Sequence, residues 1–388
     1  MVMQPGIFNF APIDRIVHGT PTAEAMRAEA DRLGARRVFL LVSRTLNRET
    51  DAIERIRARL GSAHAGSYEG IAPHTPREAV LAAAECARDA GADMIASVGG
   101  GSVTDAGKML RLCLWRGITD VDGFDAYRLG GSQAGTQPGE GPIPQVAVPT
   151  TLSAGEYHGF ASCTDTRVNA KHSYVYSKLV PRVTVLDPGI ALATPMQTWL
   201  STGVRALDHA IESICAKFPN SVCDGYSIQA IRMLARNLPI TRHDPDNLEA
   251  RQECQFGAWL SMAGTSQLNV VKGLSHALGR SLGGTCNVPH GLTSCFTLPA
   301  ALRFNRDVNP DRQALVAEAF GRPGADAADL VEELVAALGL PGRLSQVGVG
   351  PEDFDRVAQN AMDDPHLRGS PRQITGPQEL VSLLATVA

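Results

Sequence analysis

The sequence has no apolar stretch that approaches the roughly 20 residues needed to span a bilayer. Its N-terminus lacks the charged start and long apolar run of a secretory signal. It also has no run or stripe of basic residues, and its net charge of −4 arises from acids and bases mixed along the chain. We therefore expect neither a membrane nor a nucleic acid as a partner.

No CxxC pair occurs among the eight cysteines, which are scattered along the chain. An even number of cysteines is weak evidence for disulfides in a chain this long. We therefore interpret them as free thiols, which indicates a reducing, cytoplasmic location.

The chain of 388 residues is too long for one compact core, and about two domains are expected. In the first half, short β-rich runs alternate with helical segments, which indicates a parallel sheet with helices on its faces. From about Pro195 onward, long helical segments dominate. We predict an α/β domain over residues 1–190 and an all-α domain over residues 191–388.

A glycine-rich turn is the most informative feature of the first half. A buried strand leads into Gly99, Gly100, Gly101 and Ser102, and a helix follows at once. Glycines let backbone N–H groups approach a ligand, and the helix start adds partial positive charge, so a phosphate or pyrophosphate is the expected ligand. The turn is neither GxGxxG nor GxxxxGK[ST], and the alternative is a tight turn that binds nothing.

Four motifs in order resemble those of the iron-containing alcohol dehydrogenase family, whose relatives include glycerol dehydrogenase, maleylacetate reductase and dehydroquinate synthase. They lie at residues 92–108, 147–156, 203–213 and 273–291. The first two are similar to segments that hold the cofactor in this family, and the last two to segments that carry its metal-ligating histidines. The resemblance covers nearly the whole chain. It implies a dehydroquinate synthase-like fold, with an α/β dinucleotide-binding domain followed by an all-α domain.

The resemblance also implies which residues bind NAD(P). The pyrophosphate would be held by Gly99, Gly100, Gly101 and Ser102, and the expected further contacts are Thr150, Thr151 and Lys171. Ser43 falls where the family often discriminates between the two cofactors. An acid there would repel a 2′-phosphate, whereas Ser43, followed by Arg44, does not. NADPH and NADH both stay open, and so does a surface Ser-Arg pair with no selective role.

A family metal site is incomplete in this chain. Relatives that bind a metal use an aspartate and three histidines; His209, His276 and His290 match the histidines, but Arg205 replaces the aspartate. Arg205 lies four residues before His209 and shares its helical face, and a guanidinium has no lone pair to donate and repels cations. We favour a site without metal. Zinc or iron held by three histidines and a water is the alternative.

A second arginine, Arg280, replaces a relay histidine of many relatives, four residues after the position of His276. Two guanidiniums suit a carboxylate or phosphate. The plainer alternatives are a solvent-facing side containing Arg205, His209 and Glu212, and a structural ion pair for Arg280. Other histidines have no motif around them and are expected at the surface: His18, His64, His74, His243 and His366.

These features predict an NAD(P)H-dependent reductase of a small carbonyl or enoate that carries a carboxylate, similar to maleylacetate reductase. Arg205, with a protonated His209 or His276, would stabilise the developing negative charge. His276 or His290 would deliver the proton. The alternatives are a metal-dependent alcohol dehydrogenase and a non-redox lyase, cyclase or phosphate-ligand binder of the same fold. By analogy with relatives we expect a homodimer.

Overall fold

A computed structural model describes residues 7–168, 170–268 and 270–388 of the chain. The chain forms two compact units, one spanning Ala11–Thr194 and the other Pro195–Ala388 together with residues 7–10. The sequence places the boundary between residues 190 and 191, and the observed division falls between Thr194 and Pro195. None of the described helices combines the length and the apolar character that crossing a bilayer requires.

The first unit is built on a parallel sheet with helices on both faces. Its strands are β1 (Arg15–His18), β2 (Val38–Val42), β3 (His64–Tyr68), β4 (Met94–Gly99), β5 (Gln145–Pro149), β6 (Phe160–Asp165), β7 (Ala170–Val175) and β8 (Val183–Leu186). Its α-helices are α1 (Thr22–Leu33), α2 (Arg44–Glu49), α3 (Ala52–Leu60), α4 (Arg77–Asp89) and α5 (Gly101–Arg116). Six strands form the parallel sheet in the order β1-β8-β5-β4-β2-β3, and β6 and β7 pair separately as an antiparallel hairpin.

Strand β2 shows why the sheet is covered on both faces. All five of its residues are buried, since the run is apolar throughout. Phe39 and Leu41 pack into the core on one face, and Val38, Leu40 and Val42 pack into the core on the other. Continuous apolar strands of this kind are typical of parallel sheets between two helical layers.

The second unit is helical. Its α-helices are α6 (Met196–Ile214), α7 (Ser221–His243), α8 (Leu248–Gln267), α9 (Leu274–Cys286), α10 (His290–Asn305), α11 (Pro310–Ala319), α12 (Ala327–Ala337), α13 (Pro351–Met362) and α14 (Pro377–Ala385). Helix α6 packs against α7, α8 and α10, and α9 packs against α10 and α13. The predicted fold class, an α/β unit followed by an all-α unit, is confirmed.

Helix α6 is buried on its polar side as well as its apolar side. The polar side consists of Arg205, Asp208, His209 and Glu212, and all four residues are buried. The alternative in which this side faces water is therefore wrong. Because buried charged groups need partners, we expect hydrogen-bond partners for this side on the neighbouring helices.

Candidate active site

The glycine-rich turn brings the backbone close to its neighbours. Strand β4 ends at Gly99 and helix α5 begins at Gly101. A Cβ atom at Gly99 would lie 2.8 Å from Val103 Cγ2, and one at Gly100 would lie 3.1 Å from Thr151 Cγ2. The N–H groups of the first turn of a helix have no intrahelical partner and carry partial positive charge. The turn therefore fits a pyrophosphate, as predicted from the sequence.

The predicted cofactor residues follow neighbouring strands at the carboxyl edge of the sheet. Ser43 follows β2, and its backbone N–H donates to the carbonyl oxygen of Val98 in β4 at 2.9 Å. Thr150 follows β5, and its N–H donates to the carbonyl oxygen of Gly99 at 3.0 Å. Thr151 lies beside Gly100. Open parallel sheets bind nucleotides at this edge, so the arrangement supports NAD(P) binding.

The sequence analysis missed a buried ion pair behind the glycine-rich turn. Lys108 is fully buried, and its Nζ donates to the carbonyl oxygens of Gly155 (2.5 Å) and Phe160 (2.7 Å) and lies 3.4 Å from Asp105 Oδ1. Asp105 Oδ2 accepts from the backbone N–H of Ser162 at 3.1 Å. Helix α5 thereby holds the segment that follows Thr151. In the sequence, Lys108 stands among small and apolar residues of the helix that follows the glycine-rich turn. A lysine in such a setting needs a buried partner, and this signal could have revealed the pair.

Glu156 and Lys171 are two further charged residues of this unit. Glu156 is buried, and burial raises the pKa of its carboxyl group to about 7. Lys171, a predicted cofactor contact, is exposed in β7 opposite Thr164 of β6. Thr164 N–H donates to the carbonyl oxygen of Thr75, and the Thr75 hydroxyl donates to the carbonyl oxygen of Ser102 in the glycine-rich turn. The role of Lys171 stays a prediction.

Replacing Gly99 by alanine is expected to weaken NAD(P) binding at least about tenfold, a cost of about 1.4 kcal/mol. The new Cβ atom would overlap Val103 Cγ2 and displace the turn that presents the N–H groups. Isothermal titration calorimetry of both variants with NADP checks this. The control is Gly117→Ala at the other end of α5, where φ is +67° and no atom lies within 4 Å of the added Cβ. That variant should lose about 1 kcal/mol of stability and keep its affinity for NADP.

In the helical unit, Arg205 forms a buried ion pair with Asp208. Arg205 Nη1 donates to Asp208 Oδ2 at 3.1 Å and to Ser294 Oγ at 3.0 Å. Asp208 Oδ2 also accepts from the hydroxyl groups of Ser294 (2.6 Å) and Ser275 (2.9 Å). Helices α6, α9 and α10 thus meet at one carboxylate. The sequence identified Arg205 as a site residue, whereas its partners come from helices that only folding brings together.

Glu212 caps helix α9 and holds His276. Its carboxylate accepts from the backbone N–H groups of Gly273 (3.0 Å), Ser275 (2.7 Å) and His276 (3.3 Å). His276 Nδ1 lies 2.6 Å from Glu212 Oε2. Burial raises the pKa of Glu212 to about 8. Burial and the nearby cations lower the pKa of His276 well below its usual value, so its imidazole is neutral at pH 7.

Three imidazole rings lie side by side. The centroid of His276 is 5.1 Å from that of His209 and 5.7 Å from that of His366. His366 was expected as a surface residue without a role. Instead its Nδ1 lies 2.7 Å from Asp364 Oδ1, and Arg280 Nε lies 2.8 Å from Asp364 Oδ2. The structure therefore shows an ion pair for Arg280, and no motif in the sequence pointed to His366.

His290, the third predicted histidine, is the exposed first residue of α10. It lies one helical turn before Ser294, so both residues share the face of α10 that meets α6. At Gly291 the two helices approach so closely that a Cβ atom would lie 2.8 Å from Ser201 Oγ. His290 is therefore placed beside the start of α6, whereas His209 and His276 are buried.

Protein groups already occupy much of the donor set around His276. Atoms of Asp208, Glu212 and His276 lie within 4.8 Å of one another. However, Asp208 Oδ2 already binds Arg205 and two hydroxyl groups, and both oxygens of Glu212 accept backbone hydrogen bonds. Among the described residues, the buried Asp208 Oδ1 has no hydrogen-bond partner. The buried guanidinium of Arg205 stands among these donors, so its charge opposes a divalent cation. We therefore assign no step of the reaction to a metal.

A pyrophosphate-type turn on one unit and a buried cluster of imidazoles, carboxylates and a guanidinium on the other define a class of dinucleotide-dependent enzyme. Family models match both units: "Iron-containing alcohol dehydrogenase" matches residues 13–188, and "Fe-containing alcohol dehydrogenase family, C-terminal" matches residues 199–387. The chain belongs to the iron-containing alcohol dehydrogenase family, and it is an NAD(P)-dependent oxidoreductase.

Individual relatives cover almost the whole chain. The maleylacetate reductase of Rhizobium sp. (strain MTP-10005) is 32% identical over 380 residues, which are 98% of this chain and 97% of the relative. The crystal structure of maleylacetate reductase from the same strain has a TM-score of 0.83 at 30% identity, covering 99% of this chain and 98% of that one. The 1,3-propanediol dehydrogenase of Citrobacter freundii is 33% identical over 79% of both chains.

Proposed function

We propose that this enzyme uses NAD(P)H to reduce a small carbonyl or enoate that carries a carboxylate, and that it does so without a metal. The observation that carries the proposal is the buried Arg205–Asp208 pair on α6. It puts a fixed cation four residues before His209, where metal-binding relatives have an aspartate. The similarity to maleylacetate reductases, whose name states a carboxylate substrate, supports the proposed substrate class.

Arg205 would stabilise the negative charge that develops on the substrate oxygen. When NAD(P)H is bound, it supplies the hydride that reaches the carbon of the reacting double bond. Arg205 Nε is buried and has no hydrogen-bond acceptor among the residues described. An unused buried donor is costly, so an oxygen that gains charge in the transition state would be held strongly there. Asp208 and Ser294 fix the guanidinium before the substrate arrives.

Glu212 and His276 would deliver the proton. The raised pKa of Glu212 and the lowered pKa of His276 favour a protonated carboxyl group beside a neutral imidazole. The Glu212 hydroxyl then donates to Nδ1, which leaves the imidazole proton on Nε2. His276 Nε2 has no hydrogen-bond partner among the described residues. As Nε2 gives its proton to the oxygen of a reduced carbonyl, or to the carbon of a reduced enoate that did not receive the hydride, Nδ1 takes the proton of Glu212, so the pair loses one proton in each reduction.

Metal analysis combined with turnover tests the proposal. The purified protein would be treated with a chelator, analysed for zinc and iron, and assayed with NADPH and NADH against maleylacetate. We expect reduction of maleylacetate at a rate that chelation does not change. Activity that disappears with the metal and returns when zinc or iron is added would support the alternative, a metal-dependent alcohol dehydrogenase. Tight cofactor binding without turnover of maleylacetate or 1,3-propanediol would support the non-redox alternative.

Ser43→Asp is expected to shift cofactor preference toward NADH. An aspartate at the end of β2 would bond the ribose hydroxyls of NADH and repel the 2′-phosphate of NADPH. We expect kcat/KM for NADPH to fall about tenfold or more relative to that for NADH. Ser43→Asn, which has a similar shape and no charge, is the control. An unchanged ratio in Ser43→Asp would remove Ser43 from the cofactor site.

The proposal also includes a cytoplasmic location and a homodimeric state. The free state of all eight cysteines in the structure is in keeping with a reducing cytoplasm. A homodimer rests on analogy with the family alone. Sedimentation of the purified protein would establish its oligomeric state.

A further inference from the structure

Lys272 is a buried cation that forms no ion pair with the residues the structure describes. It is 7% exposed and lies directly before Gly273, the residue that caps α9. Its Nζ forms one hydrogen bond with the residues the structure describes, to Met262 Sδ at 3.7 Å. A thioether is a weak acceptor, and an ammonium group has three protons to donate. Buried lysines are almost always paired, so this one needs an explanation.

The other cations nearby have already been neutralised. Arg205 is paired with Asp208 at 3.1 Å, and Arg280 is paired with Asp364 at 2.8 Å. None of the ion pairs between described residues includes Lys272. Arg205 and Arg280, which the sequence suggested for a substrate carboxylate, are thus each paired with a carboxylate of the protein. Lys272 has no such pair among the described residues.

The backbone around Lys272 is held tightly, so the position of its side chain is defined by the fold. A Cβ atom on Gly369 would lie 2.2 Å from the carbonyl oxygen of Lys272, and the N–H of Gly273 is held by Glu212. Burial lowers the pKa values of His276 and His366, and the positive charge of Lys272 contributes to both shifts. Its ammonium group therefore belongs to the same cluster as the proton donor.

We propose that Lys272 binds the carboxylate of the substrate and so makes the enzyme specific for carboxylate-bearing substrates. This inference rests on the proposed function and assigns separate tasks to the two cations: Lys272 holds the carboxylate, and Arg205 stabilises the oxygen that reacts. Burial and the charge of Arg205 lower the pKa of Lys272 to about 7, although the carboxyl groups of Asp208 and Glu212 oppose this shift. A bound carboxylate would supply a counter-ion.

Lys272→Met removes the charge and keeps the length of the side chain. The assay compares two aldehydes of four carbons, succinic semialdehyde, which carries a carboxylate, and butanal, which does not. We expect kcat/KM for succinic semialdehyde to fall about 10- to 100-fold, the value of a charge-assisted hydrogen bond, with butanal changed less than about twofold. Lys217→Met, at an exposed position of the same unit, should leave both substrates unchanged.

Three outcomes would overturn the inference. In the first, Lys272→Met lowers kcat/KM equally for both aldehydes, as a purely structural lysine would. In the second, the unmodified enzyme shows no preference for succinic semialdehyde over butanal. In the third, borohydride trapping with succinic semialdehyde leaves a covalent adduct on Lys272, which would make the amine a nucleophile instead of an anchor.

Binding of a substrate mimic separates this inference from the proposed function. Succinate, a dicarboxylate that cannot be reduced here, would be titrated calorimetrically into the NADP-loaded protein. We expect binding to the unmodified protein that Lys272→Met weakens at least tenfold, whether or not any aldehyde is turned over. If maleylacetate is reduced but succinate binds both forms equally, the role of Lys272 fails and the proposed function stands. If succinate binding depends on Lys272 but nothing is reduced, the proposed function fails.

Discussion

The double variant Arg205→Met, Asp208→Asn is expected to lower kcat/KM for reduction by about 10²- to 10³-fold, because it removes the donor assigned to the substrate oxygen. The single variant Arg205→Met would leave Asp208 charged, buried and without its counter-ion. Breaking a buried pair in this way costs about 3–5 kcal/mol of stability. The double variant removes both charges, so it should be much more stable than the single variant while it stays inactive.

Steady-state kinetics with maleylacetate and thermal unfolding of each variant check this expectation. Arg232→Ala, at an exposed position on α7, is the control and should match the unmodified enzyme in both measurements. If the double variant were stable and had unchanged kcat/KM, Arg205 would have no part in the chemistry. Zinc or iron bound stoichiometrically by the unmodified enzyme would contradict the metal-free site.

His276→Gln is expected to lower kcat by about 10²- to 10⁴-fold, because the imidazole is the proton donor in the proposed reaction. The affinity for NADP should change little, since His276 is not among the predicted cofactor contacts. A rise in the solvent isotope effect would show that proton delivery has become rate-limiting. His243→Gln, at the exposed end of α7, is the matched control.

The pH dependence of the unmodified enzyme tests the same proton donor. The pKa of Glu212 is raised to about 8, and its protonated form is the one that can deliver a proton. The kcat for reduction should therefore be constant well below pH 8 and fall as the pH rises through that value. Burial is the main cause of this raised pKa, and the charged groups around Glu212 that also act on it are Asp208, Arg205 and Lys272. Glu212→Gln should be slow and lose the dependence; a flat profile for the unmodified enzyme would argue against the Glu212–His276 pair.

The cofactor residues could be predicted from the sequence because they depend on local rules. Ser43, Gly99 and Thr150 each follow a short apolar run, and the carboxyl ends of parallel strands share one edge of a sheet. Once the runs are recognised as strands, the residues that follow them must lie near one another. Lys171 follows no parallel strand, and the same reasoning could not place it.

The partners of the helical cluster could not be predicted in this way. Arg205 and His209 share a face of α6 by periodicity alone, but this does not reveal whether that face meets water or protein. His276 and Glu212 are 64 positions apart in the chain, and Ser294 and Asp208 are 86 apart. Arg280, for which the sequence left a substrate contact and an ion pair open, is paired with Asp364. Spacing along one helix cannot show which residues of two crossing helices come together.

The sequence by itself determined the order of strands and helices, the glycine-rich turn and the loss of the family aspartate at Arg205. Hydrophobic periodicity and glycine geometry act between near neighbours in the chain, which is why these features can be recognised without a structure. Only the tertiary structure decided which charges are neutralised and which are not. That balance depends on helices α6, α9 and α10 meeting around Asp208, and it leaves Lys272 as the buried cation still lacking a counter-ion among the residues described.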